Sequence, residues 1–275
     1  MQDWTPYGRD NLNLAELPIA LITDKAPRGV HTLIFKAEQG QVSVLASGDL
    51  GIPTAIDSDV LVGLITIAKR TNDFADPVVN FTRYELLDLL GWKKDGRNYR
   101  RVDDSLRRWV GTTLRYENSW YDNANKRKID ASFHILESVT IHDAETKQPG
   151  LPFSTFTWGR AFFDSCRSNY LKKLDIDTYV SLHGAIPRRI FRLMDKRFYV
   201  RDTWTFPLRE FAFENVGISR NYTDSKIREV LKPALTELTN IGFLKSATYA
   251  SPKRGTWTIR LVGKSRRGKA GDVAC

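Results

Sequence analysis

The spacing of apolar positions is most regular between Phe81 and Trp120. Thr82, with Glu85 three residues on, makes a capping box before Leu86, Leu87, Leu89 and Leu90, and Gly91 closes that short helix. After the polar stretch Lys93 to Arg97, a second helix is predicted from about Asn98 to Val110. Its apolar residues Val102, Leu106, Trp109 and Val110 recur at i, i+4, i+7 and i+8 and form one buried stripe. The period then becomes that of a strand through Tyr116 to Tyr121, and a second strand, Ile129 to Ile141, follows the turn DNANKRK. Short helix, turn, basic helix and hairpin with a basic tip is the order of a winged helix. In that fold the second helix enters a DNA major groove and the hairpin touches the flanking backbone.

A similar order returns later in the chain. Pro187 opens a helix with Ile186, Ile190, Leu193, Met194 and Phe198 inward, and Thr203 to Phe206 reads as a strand. PLREFAFENVG then parallels FTRYELLDLLG. Thr223 or Asp224 caps a long helix whose buried stripe is Ile227, Val230, Leu231, Ala234, Leu235, Leu238 and Ile241, with Pro233 expected to kink it. A hairpin, Phe243 to Tyr249 and Thr256 to Val262, carries a basic tip at Lys253 and Arg254. Ahead of the first copy, Val60, Leu61, Leu64, Ile65 and Ala68 define a leading helix capped at Asp57 or Ser58. Val78 to Phe81 is expected to pair with the hairpin. Ile19 to Ile22, Thr32 to Lys36 and Gln41 to Leu45 read as short strands.

The expected fold is therefore α+β, with two tandem winged-helix domains. Residues 1–55 form a β-rich segment packed on the first domain (56–148). The second domain spans 149–263, and residues 264–275 form a disordered basic tail. The boundary is placed at DAETKQPGLP, where two prolines and a glycine gather among polar residues.

Charge changes the picture. The net charge of +10 is unevenly spread: residues 1–60 carry −4, 93–115 carry +5, 181–201 carry +5 and 245–275 carry +7. Such collection of positive charge points to a polyanionic partner, nucleic acid before membrane. No apolar run has the length of a membrane span, and the first residues lack a signal-peptide core. The two cysteines, Cys166 and Cys275, have no CxxC partner, which fits a cytoplasmic protein with no thiolate metal site.

For DNA contact the helix faces select Arg220, Asn221, Tyr222, Ser225, Lys226, Arg228 and Lys232, with Lys253 and Arg254 on the wing. In the first half the equivalents are Arg100, Arg101, Arg107 and Arg108, with Lys126 and Arg127 on the wing. Forked and amide side chains at the start of a recognition helix are those that read base edges. Asp103 and Asp104 flank the first-half helix, so that face suits a protein partner as well as DNA. Catalytic constellations are thin. His31, His134, His142 and His183 form no His-x-His pair, and Asp175 with Asp177 has metal-pair spacing but no third carboxylate, so it reads as a helix entry. Gly263-Lys264-Ser265 lacks the rest of a Walker loop. No catalytic residue, metal or cofactor is expected.

Several collinear blocks carry a family resemblance: LAELPIALITDKAP, GIPTAIDSDVLVGLI, FTRYELLDLLGW, NYRRVDDSLRRWVGTTLRYENSWYD, FTWGRAFF, YLKKLDIDTYVSL and the stretch from RRIFRLMDKRFY to VGISRNY. Across roughly residues 12–245 the chain resembles the replication initiator protein A family of bacterial plasmids and mobile elements. The resemblance implies sequence-specific binding to double-stranded origin repeats, melting of adjacent AT-rich DNA, and recruitment of the host initiator and replicative helicase, without cutting or polymerising DNA. A homodimer is among the assemblies it implies, because one winged helix often serves dimerisation in the wider group. A winged-helix transcriptional regulator, an autorepressor without initiator activity, is the alternative, since one fold serves either role.

Overall fold

The computed structural model describes residues 7–47, 49–142, 153–253 and 255–264. The chain forms two compact units, Met1–Val180 and Ser181–Cys275.

The first unit opens with strand β1 (Gly8–Asn11) and helix α1 (Leu12–Glu16), where Asn11 Oδ1 accepts from the amides of Asn13 and Leu14. Sequence periodicity instead suggested a strand at Ile19 to Ile22. That stretch is not a strand: Ile19 and Ala20 are buried in a connecting segment, and the Leu21 amide donates to Pro53 O at 2.8 Å. Strands β2 (Thr32–Ala37) and β3 (Gly40–Ala46) follow, then helix α2 (Ala55–Thr71). Thr54, not Asp57 or Ser58, caps α2. Asp57 is the third residue of the capping box, and its Oδ2 accepts from the Thr54 amide at 2.6 Å and from Thr54 Oγ1 at 2.9 Å.

Next come β4 (Val78–Phe81), α3 (Arg83–Leu89) and α4 (Gly96–Val110). Helix α4 begins two residues earlier than its apolar stripe suggests, because Asp95 Oδ1 accepts the Asn98 amide at 2.9 Å. The hairpin is β5 (Thr112–Asp122) and β6 (Arg127–His134). The second strand expected as one piece breaks at Ile135 and resumes as β7 (Leu136–Thr140). After β8 (Ser154–Trp158) come α5 (Arg160–Arg167), β9 (Leu171–Leu174) and α6 (Ile176–Ser181).

Among the described residues three antiparallel sheets hold this unit, in the orders β2-β3-β5-β6, β4-β8-β7 and β1-β9. Strand β4 therefore pairs with β8, and not with the β5–β6 hairpin as expected. Two consequences follow for the domain plan. Residues 153–180, assigned from sequence to a second domain, lie in the first unit because β8 is bonded on both sides within it and β9 is bonded to β1. The segment before residue 55 is not an appendage either, since β3 is hydrogen-bonded to β5. Val102, Leu106 and Trp109 of α4 are buried in one apolar cluster with residues of α2, β3 and β5, and Trp109 Nε1 donates to Asp57 O at 2.9 Å. At the β2–β3 turn a side chain on Gly40 would place Cβ 2.2 Å from Glu117 O, so the chain approaches the β5 bulge as only glycine allows.

The second unit contains α7 (Ala185–Val200), β10 (Thr203–Pro207), α8 (Leu208–Glu210), a π-helical turn at Phe211–Val216, α9 (Asp224–Asn240), β11 (Leu244–Lys253) and β12 (Thr256–Gly263). Its sheet has the order β10-β12-β11. Gly217, at φ 89°, ends the π turn, and its amide and that of Ile218 both donate to Ala212 O. The core combines Ile190, Leu193, Met194 and Phe198 with Phe211, Ile227, Leu231, Leu238, Ile259 and Leu261. Phe243 packs between Phe191 and Phe198, with ring centroids 4.5 and 5.7 Å away. Ile241, expected inside, is 45% exposed, because α9 ends at Asn240 and the chain turns at Gly242. Helix α9 continues through Pro233, which lies on its exposed side.

Candidate nucleic-acid interface

Helix α4 presents an outward stripe of Arg97, Arg100, Asp104 and Arg107, spaced +3, +4 and +3. Among the described residues the side chains of these three arginines have no hydrogen-bonding or ion-pair partner. Arg101 and Arg108 behave differently. Arg101 is half-buried and donates to Asn98 Oδ1 at 3.2 Å. Arg108 turns back to Asp57, Nη1 to Oδ1 at 2.5 Å, and donates through Nε to Leu50 O at 3.0 Å. The flanking aspartates also separate: Asp103 is bound by Arg83 Nη1 at 2.8 and 3.1 Å, while Asp104 stays exposed. Three arginines against one aspartate leave this face positive.

The tip of the β5–β6 hairpin is held by its own polar atoms. Asp122 accepts from the amides of Ala124 and Asn125 and from Asn125 Nδ2 at 2.7 Å, and the Asn125 side chain is the leading cause that lowers its pKa. Lys126 adopts φ 53° and its Nζ reaches Asn123 Oδ1 at 3.0 Å. Arg127 and Lys128 are exposed beside it. A tight Asx-stabilised turn thus carries three cations in succession.

In the second unit Arg220 and Asn221 lie in a turn before α9, not on the helix, and Tyr222 closes that turn through its amide to Ser219 O. Arg220 is paired with Glu214, with Nη2 to Oε2 at 2.9 Å, and that bond raises its pKa. Thr223 Oγ1 accepts the Lys226 amide and caps α9. Ser225 is exposed in the first turn. Lys226 pairs with Glu229 at 2.8 Å, which raises its pKa, and Arg209 pairs with Asp224 at 2.7 Å. The side chains of Lys232 and Lys253 are exposed without a partner among the described residues. Arg228 lies with its Cζ 3.9 Å from the ring centroid of Trp257 on β12. Arg254 and residues 265–275, the bulk of the expected basic tail, lie outside the described residues.

Sequence reading missed Arg97, Lys128 and Trp257. Arg97 became visible only once Asp95 was placed as the cap, which brings it onto the same stripe as Arg100. Trp257 carried no signal, because the residue it faces is distant in sequence.

Other candidate chemistry is accounted for locally. Asp175 sits at the entry of α6, accepting from the Thr178 amide at 3.0 Å and Thr178 Oγ1 at 2.8 Å. His183 bonds Glu237 at 2.8 Å. Among the described residues no group of three or more His, Cys, Asp or Glu converges to hold a metal, and no helix is long and apolar enough to cross a membrane.

The family model described as "Replication initiator protein A" matches residues 9–231. Among solved structures, a selenomethionine derivative of domains 2 and 3 of RctB is similar at TM-score 0.63 and 16% identity, covering 91% of this chain and 97% of that one. A second structure of RctB domains 2–3 gives TM-score 0.55 and 17% identity over 90% and 95%. At those identities the likeness is one of fold. No curated protein sequence matches.

Proposed function

The chain belongs to the replication initiator protein A family, and from that premise we propose that it acts as a replication initiator by gripping double-stranded origin repeats through two winged helices. Helix α4 with the β5–β6 tip is one reading element, and α9 with the β11–β12 tip is the other. The order helix, strand, helices, hairpin in residues 185–263, with strand order β10-β12-β11, suits a winged helix, and in the first unit the same order surrounds a differently paired sheet. The observation that carries the proposal is the arginine stripe of α4, whose Arg97, Arg100 and Arg107 are exposed on one face with no side-chain partner among the described residues.

Such a surface binds phosphate strongly and gains sequence preference where side chains reach base edges. The ion pairs on the second unit do not oppose this, because the cation of each is solvent-accessible and such pairs hold their partners weakly enough to exchange a carboxylate for a phosphate. Binding of this kind supports local melting of neighbouring AT-rich DNA and recruitment of the host initiator and helicase, in the cytoplasm and without cutting or polymerising DNA. The alternative role as an autorepressor uses the same surface. Footprinting of the purified chain over short direct repeats flanking its coding sequence tests the reading. Protection of the repeats over competitor DNA is expected, and uniform, sequence-independent coverage would overturn it.

A further inference from the structure

Three of the cations around the start of α9 are already engaged: Arg220 with Glu214, Lys226 with Glu229 and Arg209 with Asp224. Arg228 is placed differently. Its guanidinium Cζ stands 3.9 Å from the Trp257 ring centroid, and its Nε donates to Asp224 O at 3.3 Å. Stacking and one hydrogen bond therefore fix the guanidinium, while its two terminal amino groups have no partner among the described residues.

The location is as particular as the geometry. Arg228 belongs to the N-terminal third of α9, the part of such a helix that meets base edges. Trp257 belongs to the outgoing strand of the hairpin, just past the tip that carries Lys253. The stack thus ties the helix to the wing and holds a two-donor fork between them. A fixed guanidinium fork matches the paired acceptors N7 and O6 of guanine, whereas a lysine offers a point charge with no such match.

We propose that Arg228 reads a guanine in the major groove and that Trp257, by stacking on its guanidinium, is the positioning residue for that contact. The inference rests on α9 being the helix that enters the groove.

The test is selection from a pool of duplexes with a randomised core, using the full chain and its Arg228→Lys and Trp257→Leu variants, with affinities then measured across a salt series. The wild-type chain is expected to select a motif with one strongly preferred G·C pair. Both variants should lose preference at that same pair, by about tenfold or more in relative affinity, while the rest of the motif persists. Arg228→Lys keeps its charge, so its salt slope should match wild type. Selection of an unchanged motif by Arg228→Lys would overturn the assignment. So would uniform weakening across all sequences, the signature of a phosphate contact. A wild-type chain that selects no motif would sink the groove reading, and this assignment with it. If Trp257→Leu melts early, Trp257→Phe, which preserves a stacking ring, should retain most of the preference, and loss of the G·C preference in a well-folded Phe variant would refute the positioning role.

Discussion

Arg108 Nη1 donates to Asp57 Oδ1 at 2.5 Å, and the Asp57 carboxylate is fully buried. Asp57 at the same time completes the cap of α2, while Arg108 also holds Leu50 O. One arginine on the charged side of an amphipathic helix is thus a structural tie between the end of α4 and the start of α2. Its neighbour Arg107, one residue earlier, points outward.

Arg108→Ala should destabilise the first unit by about 3 kcal/mol, because it strips a buried carboxylate of its counter-ion. Arg107→Ala should change stability by no more than about 0.5 kcal/mol. Urea midpoints of the two variants check the contrast. Equal midpoints would mean that the Arg108 pair is not maintained in solution.

Arg100→Ala combined with Arg107→Ala should leave the melting temperature unchanged and weaken binding to duplex DNA. If each arginine meets one phosphate, the slope of log affinity against log salt should shrink by about 2. An unaltered slope would remove the α4 stripe from the interface.

Gly40→Ala should cost about 2 kcal/mol or more, since its Cβ would meet a backbone oxygen that cannot move without shifting β5. Thermal denaturation measures it, and a neutral outcome would show that the β2–β3 turn has room to open.

Stability should fall in alkali. Burial raises Tyr170 and Tyr249 to about 12 and pushes the Cys166 thiol up as well. In the unfolded chain these groups release their protons near the ordinary values of about 8.5 for cysteine and about 10 for tyrosine. Above those values the native state binds more protons than the unfolded one, so stability is lost as pH rises and is fully present near neutrality. Urea midpoints from about pH 7.5 to about pH 11 should decline, with Tyr170→Phe and Tyr249→Phe each reducing the decline. A flat profile would contradict the burial of both phenols.

Much of this architecture is written in local pattern. The stripe Val102, Leu106 and Trp109 located α4, and Ile227, Leu231 and Leu238 located α9, because a buried helix face repeats with the helix's own period. Strand partners were not legible: β4 looks ready to join the adjacent hairpin, yet it bonds to β8, more than seventy residues away in sequence. Side-chain engagement was also hidden. Nothing in RRWV separates Arg107 from Arg108, since their difference lies in Asp57, which only tertiary packing brings near. The stack of Arg228 on Trp257 was invisible for the same reason.

The pairing of β1 with β9 also sets a schedule for synthesis. Gly8 to Asn11 find their strand partners in Leu171 to Leu174, and Asn11 additionally donates to Ser165 Oγ at 3.2 Å. Strand β1 must therefore wait for nearly the whole first unit to be synthesised before it can lock in place. Nascent chains arrested before residue 171 should remain open to proteases at β1, so completion of this unit is tied to its last strand, β9, and not to β1.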